Sequence, residues 1–150
     1  MLLPLAADLS QEQAELVKQT LPDTAFDLSK LIGLSATLAL VDEFGGTTFG
    51  VPIDRNGKAG TLFQRIVNAT SEEAAASISK VYGGDRLYIP MCTKTRQVLR
   101  NLEIIREFDA QTLEISAKKA VSALARRYFL SDRAIENILN SHASSVGSKS

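Results

Sequence analysis

One nine-residue pattern occurs twice in the chain, and this repeat restricts the fold more than any other feature. Residues 44–52 read Phe-Gly-Gly-Thr-Thr-Phe-Gly-Val-Pro, and residues 82–90, 38 positions later, read Tyr-Gly-Gly-Asp-Arg-Leu-Tyr-Ile-Pro. Each copy follows an amphipathic stretch with helical spacing and contains a short run in which apolar residues alternate. The repeated unit is therefore predicted to be a helix, a Gly-Gly turn, a short strand and a proline that ends the strand.

The glycine pairs are predicted to be structural turns at helix ends, Gly45-Gly46 in the first copy and Gly83-Gly84 in the second. Gly45 is expected to supply the positive φ that ends its helix. Neither pair has the Gly-Lys-Ser/Thr ending of a phosphate-binding loop or the spacing of a dinucleotide-binding fingerprint. The strands that follow are expected to form one small sheet, either within a chain or across a dimer.

Capping signals and apolar periodicity predict the remaining helices. Ser10 and Gln13 fit a capping box that opens a helix ending near Leu21, and Thr70–Glu73 fits a second box. The further helices are expected over residues 35–44, 62–67, 71–82 and 93–108.

Composition favours one compact domain with a modest core, because 45% of the 150 residues are hydrophobic. A net charge of zero argues against a strongly basic nucleic-acid coat protein. The charge is uneven, with 5 Lys/Arg against 8 Asp/Glu in residues 1–70 and 12 against 9 in residues 71–150. This asymmetry suggests an acidic scaffold joined to a basic working end.

Few residues offer chemistry for an enzyme. The single Cys92 allows no internal disulfide, which favours a reducing compartment, and the lone His142 lies near the C-terminus. With no Cys/His cluster and no nucleophile–base set, we expect no catalysis, metal, cofactor or small-molecule substrate. The apolar N-terminus has no basic residue and is interrupted by Pro4 and Asp8, so neither a signal peptide nor a membrane span is predicted.

The C-terminal third contains a candidate helix-turn-helix. Apolar or small residues occur where two short crossing helices would need them, at Leu124, Ala125, Tyr128, Leu130, Ile135 and Ile138. Ser131 is expected to cap a second helix over residues 132–140, whose N-terminal side chains would enter the major groove. Phe129 stands at the turn position that usually carries glycine. A packed helical hairpin without DNA binding remains open.

The candidate DNA contacts of this motif are polar side chains around the start of the second helix. Arg133, Asn137 and Ser131 are candidates for base or phosphate contacts, because arginine pairs with guanine and asparagine with adenine. Arg126 and Arg127, on the preceding helix, suit phosphates.

The motifs together resemble the Mor transcription activator family, named for the middle operon regulator of phage Mu. The residues concerned are 83–90, then Arg100, Ile104 and Phe108, then 124–128, Leu130, Ser131 and Ile135. The likeness covers roughly residues 72–140. It implies a dimeric DNA-binding protein that has a helical dimerisation region with a strand and a C-terminal helix-turn-helix, and that activates phage promoters near RNA polymerase.

The resemblance also implies that Arg86 and Tyr88, in the second strand, approach DNA. An arginine suits a narrow minor groove, where negative potential is concentrated. The upstream copy has Thr48 and Gly50 at the corresponding places. We therefore expect the upstream copy to be a structural half that pairs its strand with the downstream copy.

The predicted fold is mainly α with a small β-sheet. Four regions are expected: an N-terminal helix and linker (1–30), the duplicated region for dimerisation and scaffold (31–108), the helix-turn-helix (109–140) and a flexible tail (141–150). The predicted function is that of a sequence-specific DNA-binding regulator, a phage or prophage type activator acting as a homodimer in the bacterial cytoplasm. The alternative is a protein-interaction module that keeps this architecture without binding DNA.

Overall fold

The computed structural model describes residues 9–53 and 60–147, so the predicted loop at 54–60 and the apolar N-terminus lie largely outside the described residues. The described chain is mainly helical with one small sheet, as predicted. Its helices are α1 (Gln11–Gln19), α2 (Asp23–Ile32), α3 (Leu34–Phe44), α4 (Thr61–Ala69), α5 (Glu72–Tyr82), α6 (Thr93–Gln111), α7 (Ala117–Tyr128) and α8 (Asp132–Gly147). Its strands are β1 (Thr47–Gly50) and β2 (Arg86–Ile89).

The chain divides into two compact units, where composition favoured one compact domain. Unit 1 ends at Gln97 and unit 2 begins at Val98, so the boundary falls within α6. Each unit has a core of its own, and the two clusters of buried apolar side chains share no residue. The predicted region boundaries near residues 30 and 108 remain predictions.

The first helices follow local capping rules. The Gln13 backbone N–H donates to Ser10 Oγ at 3.2 Å and the Ser10 N–H donates to Gln13 Oε1 at 3.0 Å, which confirms the predicted capping box.

The prediction of a linker after α1 was wrong, because most of that segment forms helix α2. Pro22 not only follows α1 but also occupies the N-cap of α2, where the missing proline donor costs nothing. Ala25 and Leu28 then bury one face of α2.

The second predicted box is wrong in detail. The cap of α5 is Ser71, whose Oγ accepts from the Ala74 N–H at 3.1 Å. Because the cap lies one residue later than expected, the third helical position is Ala74, which has no side-chain acceptor to complete a box.

Both Gly-Gly turns adopt the same backbone conformation, and the positive φ falls on the second glycine rather than on Gly45. Gly45 has φ −53° and ψ 131°, and Gly46 has φ 85°. Gly83 and Gly84 repeat this with φ −51° and 87°. These values are those of a type II turn. A Cβ on Gly45 would lie 2.5 Å from the carbonyl oxygen of Val41, so the first glycine allows a close backbone approach.

The two strands pair antiparallel within one chain, which decides between the two predicted pairings. Phe49 faces Leu87 at the centre of the register, and these residues are themselves 38 positions apart. Leu87 and Ile89 are buried, as their alternation predicts, whereas Arg86 and Tyr88 are exposed on the other face. The upstream copy therefore pairs its strand with the downstream copy, as expected.

The bonds at the two ends of the sheet correspond to each other when the copies are exchanged. The Gly46 N–H donates to the Ile89 carbonyl at 2.7 Å, and the Gly84 N–H donates to the Val51 carbonyl at 3.0 Å. Gly84 and Ile89 lie 38 positions after Gly46 and Val51 respectively. The repeat in sequence is thus matched by a repeat in backbone hydrogen bonding.

Helix α8 differs most from its prediction, because it was expected to end near Asn140 and to be followed by a flexible tail. The helix instead continues to Gly147, so most of the segment 141–150 is helical. No proline or glycine interrupts residues 132–146, and each residue added to an existing helix gains one backbone hydrogen bond.

Candidate DNA-binding surface

Unit 2 contains two helices joined by three residues, as expected for the predicted motif. Every position predicted to be apolar or small belongs to the cluster of fully or partly buried side chains that holds α7 and α8 together. The cluster consists of Ile104, Val121, Leu124, Ala125 and Ile135, with Phe108, Tyr128, Leu130, Ile138 and Leu139 packed against it. Ala125 is 6% exposed and leaves no room for a larger side chain without repacking.

The turn after α7 is made by a non-glycine residue in the left-handed region. Phe129 has φ 56° and ψ 44°, and its N–H donates to the Ala125 carbonyl. The Leu130 N–H donates to the same carbonyl at 2.9 Å. The left-handed conformation costs a residue with a side chain about 1 kcal/mol. The Phe129 ring is 94% exposed, so packing does not offset this cost.

The start of α8 is capped by a side chain, as predicted. Ser131 Oγ accepts a hydrogen bond from the Ala134 N–H at 3.0 Å. Asp132 lies in the first turn, where a carboxylate interacts favourably with the helix dipole. The Ser131 hydroxyl still has its proton to donate, and Asp132 and Arg133, the first two residues of α8, are exposed.

Glu107 links α6 to the end of α7. The Tyr128 hydroxyl donates to Glu107 Oε2 at 2.5 Å, and Arg127 Nη1 lies 3.1 Å from Glu107 Oε1. Desolvation by burial, together with the hydrogen bond to Glu107, raises the pKa of Tyr128 to about 12. The phenol is therefore a hydrogen-bond donor at neutral pH. Arg127 is the one predicted contact residue of unit 2 that is held by an ion pair within the described part of the chain.

Three other predicted contact residues are unpaired. Arg126, Arg133 and Asn137 are exposed and make no ion pair or side-chain hydrogen bond with any other described residue. Their donors are free for phosphates or bases. Asp132 and Glu136 are also exposed near the start of α8, so this surface carries both signs of charge.

The predicted strand contacts lie in the other unit. Arg86 and Tyr88 are neighbours on the exposed face of β2, opposite Gly50 and Thr48 of β1. Tyr88 is 50% exposed, and Arg86 makes no ion pair with any residue that the structure describes. The structure thus groups Arg86 with Tyr88 in unit 1 and the other five predicted residues in unit 2.

Within residues 9–53 and 60–147, no three His, Cys, Asp or Glu side chains are grouped to hold a metal ion. Burial raises the pKa of the Cys92 thiol, against the opposing effect of Arg96. None of the described helices has the length and apolar content needed to cross a membrane.

Sequence reasoning missed Glu107. It lies between Ile104 and Phe108, two apolar residues on which the family resemblance rests. An acidic residue beside an apolar face is a candidate partner for a tyrosine or an arginine of the helix packed there.

The comparison with known proteins supports the resemblance. The model of the Mor transcription activator family matches residues 58–148, which is more than half of the chain and extends beyond both ends of residues 72–140. No curated protein and no solved structure shows significant similarity to the chain.

Proposed function

The chain belongs to the Mor transcription activator family, and from this premise we propose that it is a sequence-specific DNA-binding activator of the phage or prophage type. The observation that carries the proposal is the start of α8. Ser131 caps this helix and its first two residues are exposed. Arg133 in the first turn and Asn137 in the second have donors with no partner among the described residues. A helix-turn-helix protein inserts this part of its second helix into the major groove.

The side chains of unit 2 divide into two roles under this proposal. Arg133 and Asn137 read base edges, because guanidinium and amide groups match guanine and adenine respectively. Arg126 and the Ser131 hydroxyl bind phosphates and set the register of the helix on the duplex. Arg127 contributes less, since its guanidinium already pairs with Glu107.

Arg86 and Tyr88 add a second contact from the exposed face of β2. Arginine is attracted to a narrow minor groove, and Tyr88 supplies an apolar ring with a hydroxyl beside it. Thr48 and Gly50, on the paired strand, have little side chain to offer and leave the face open. We assign the upstream copy to the scaffold.

The protein is proposed to act as a homodimer in the bacterial cytoplasm. One helix-turn-helix supplies few base contacts, and two related by a two-fold axis match a pseudo-palindromic site. Because β1 and β2 already pair within one chain, the dimer interface lies on a surface other than the β1–β2 pairing. Sedimentation at tens of micromolar should give a dimer, and a monomer both with and without DNA would contradict this.

Selection of bound duplexes from a random pool tests the DNA-binding proposal. We expect enrichment of one pseudo-palindromic site, with an affinity that falls steeply as salt rises because phosphate neutralisation releases counterions. No enrichment, together with a flat salt dependence, would favour the protein-interaction module instead.

Activation is tested separately, by transcription with purified bacterial RNA polymerase from a promoter that carries the selected site. An increase in transcript that requires both the site and the protein is expected. Binding that lowers transcript would identify a repressor.

A further inference from the structure

Phe129 has two properties that its role in the turn does not require. The conformation is left-handed, which glycine adopts without strain, and the ring is 94% exposed. The turn is closed by backbone bonds from Phe129 and Leu130 to the Ala125 carbonyl, so the side chain contributes nothing to it. Nor does the ring belong to the core cluster of unit 2. Backbone strain that no packing of the side chain compensates points to a functional role for Phe129.

The neighbours of Phe129 in the chain indicate what the ring contacts. It follows Arg126 and Arg127, at the end of α7, and precedes Ser131 and Arg133, at the start of α8. All four of these side chains are exposed. A protein partner that buried the ring would also have to supply acidic groups for the neighbouring guanidinium groups, because burying a charge without a partner is unfavourable.

Duplex DNA satisfies both kinds of group at once. Its phosphates neutralise the arginines, and the 5-methyl group of thymine offers an apolar surface in the major groove, where phenylalanine is one of the side chains that contact it. Phe129 lies two residues before Ser131, the N-cap of α8, and so close in the chain to the part of a recognition helix that enters the groove.

We propose that Phe129 is a specificity-determining residue that packs its ring against a thymine methyl group at the edge of the base pairs contacted by α8. The inference rests on the proposed function, because it requires that α8 enter the major groove.

The test uses the full chain and the tightest duplex obtained from the random pool. Phe129→Gly should unfold at the same temperature as the parent or higher, since it removes the strain. It should also bind this duplex more weakly, by on the order of fourfold, which corresponds to one methyl-sized apolar contact. Phe129→Asn should show the same loss of affinity, because asparagine also tolerates the left-handed region.

Replacing single thymines by deoxyuridine removes only the methyl group and identifies the contact. At one position the parent should lose about the same affinity, on the order of fourfold, while Phe129→Gly loses nothing further. Leu113→Ala is the matched control, because Leu113 is 86% exposed in the loop between α6 and α7 and should respond to uracil as the parent does.

Each other outcome overturns the inference in a distinct way. If the parent enriches a site but Phe129→Gly binds it equally well, Phe129 does not contact DNA. If that variant binds normally and fails only to activate transcription, the ring contacts a protein. If the parent enriches no duplex, the proposed function fails and the inference falls with it.

Discussion

The hydroxyl of Tyr128 donates a hydrogen bond to Oε2 of Glu107 across 2.5 Å, and so connects the last residue of α7 to the C-terminal part of α6 within unit 2. Tyr128 directly precedes the turn residue Phe129. The contact therefore fixes the end of α7 at the point where the chain turns towards α8. Since Glu107 also pairs with Arg127, one carboxylate orients two consecutive residues next to the candidate DNA-binding surface.

Tyr128→Phe should lower the free energy of unfolding by about 1–2 kcal/mol, because the variant removes the donor and leaves the mostly buried carboxylate of Glu107 with one partner fewer. Urea unfolding measures the change. Tyr88→Phe is the control: Tyr88 is 50% exposed and its hydroxyl makes no hydrogen bond with the described residues, so a change of at most about 0.5 kcal/mol is expected. Equal effects of the two variants would contradict a specific role for Glu107.

The same contact predicts a pH dependence at alkaline pH. The pKa of Tyr128 is about 12 in the folded protein, against about 10 for an unperturbed tyrosine, so the unfolded chain releases this proton first. The stabilisation is complete below pH 10 and is lost as pH rises towards 12. Tyr128→Phe should flatten this part of the stability curve relative to the parent and to Tyr88→Phe. Parallel curves for all three proteins would exclude the effect.

The first and second glycines of a Gly-Gly turn should differ in how much their replacement by alanine lowers stability. Gly45→Ala should destabilise by about 2 kcal/mol or more, because its Cβ would lie 2.5 Å from the Val41 carbonyl oxygen and the backbone must shift. Gly46→Ala should lower the free energy of unfolding by about 1 kcal/mol, because a residue with a side chain is strained at the φ of 85° that Gly46 adopts. Gly50→Ala is the control, since nothing lies within 4 Å of its Cβ, and it should be neutral or slightly stabilising. Thermal unfolding of the three variants measures this order, and a Gly45→Ala variant as stable as Gly50→Ala would contradict the prediction.

Arg133→Ala should weaken binding to the selected site by about 1–3 kcal/mol and relax the preference at one base pair, while non-specific binding changes much less. Arg126→Ala, which removes an equal charge from the preceding helix, should weaken all duplexes alike and reduce the salt dependence. Binding curves on the selected site and on single base-pair variants measure both effects. Identical profiles for the two variants would refute the division of roles.

Arg86→Ala should reduce affinity with a shallower salt dependence and act chiefly at A·T-rich positions, if β2 approaches a minor groove. Thr48→Ala, on the facing strand, should bind as the parent does. A loss of affinity in Thr48→Ala would show that the upstream copy is more than scaffold. If neither Arg86→Ala nor Arg133→Ala alters binding, the DNA-binding assignment is wrong.

Sequence alone predicted the features that depend on neighbours in the chain. The capping box at Ser10, the alternation that buries Leu87 and Ile89, and the cap at Ser131 each involve residues a few positions apart. Their energies are settled by local backbone geometry. Local signals gave a wrong prediction where one residue belongs to the ends of two helices. Pro22 follows α1 and is also the N-cap of α2.

Only the tertiary structure decided which distant groups meet. Phe49 could pair with Leu87 of its own chain or of a second copy, because the strand sequences and the Gly-Gly turns are the same in both cases. The contact of Tyr128 with Glu107, across 21 positions, likewise depends on how α7 packs against α6. Such choices are made by the summed burial of many side chains and by chain connectivity, which no short window of sequence contains.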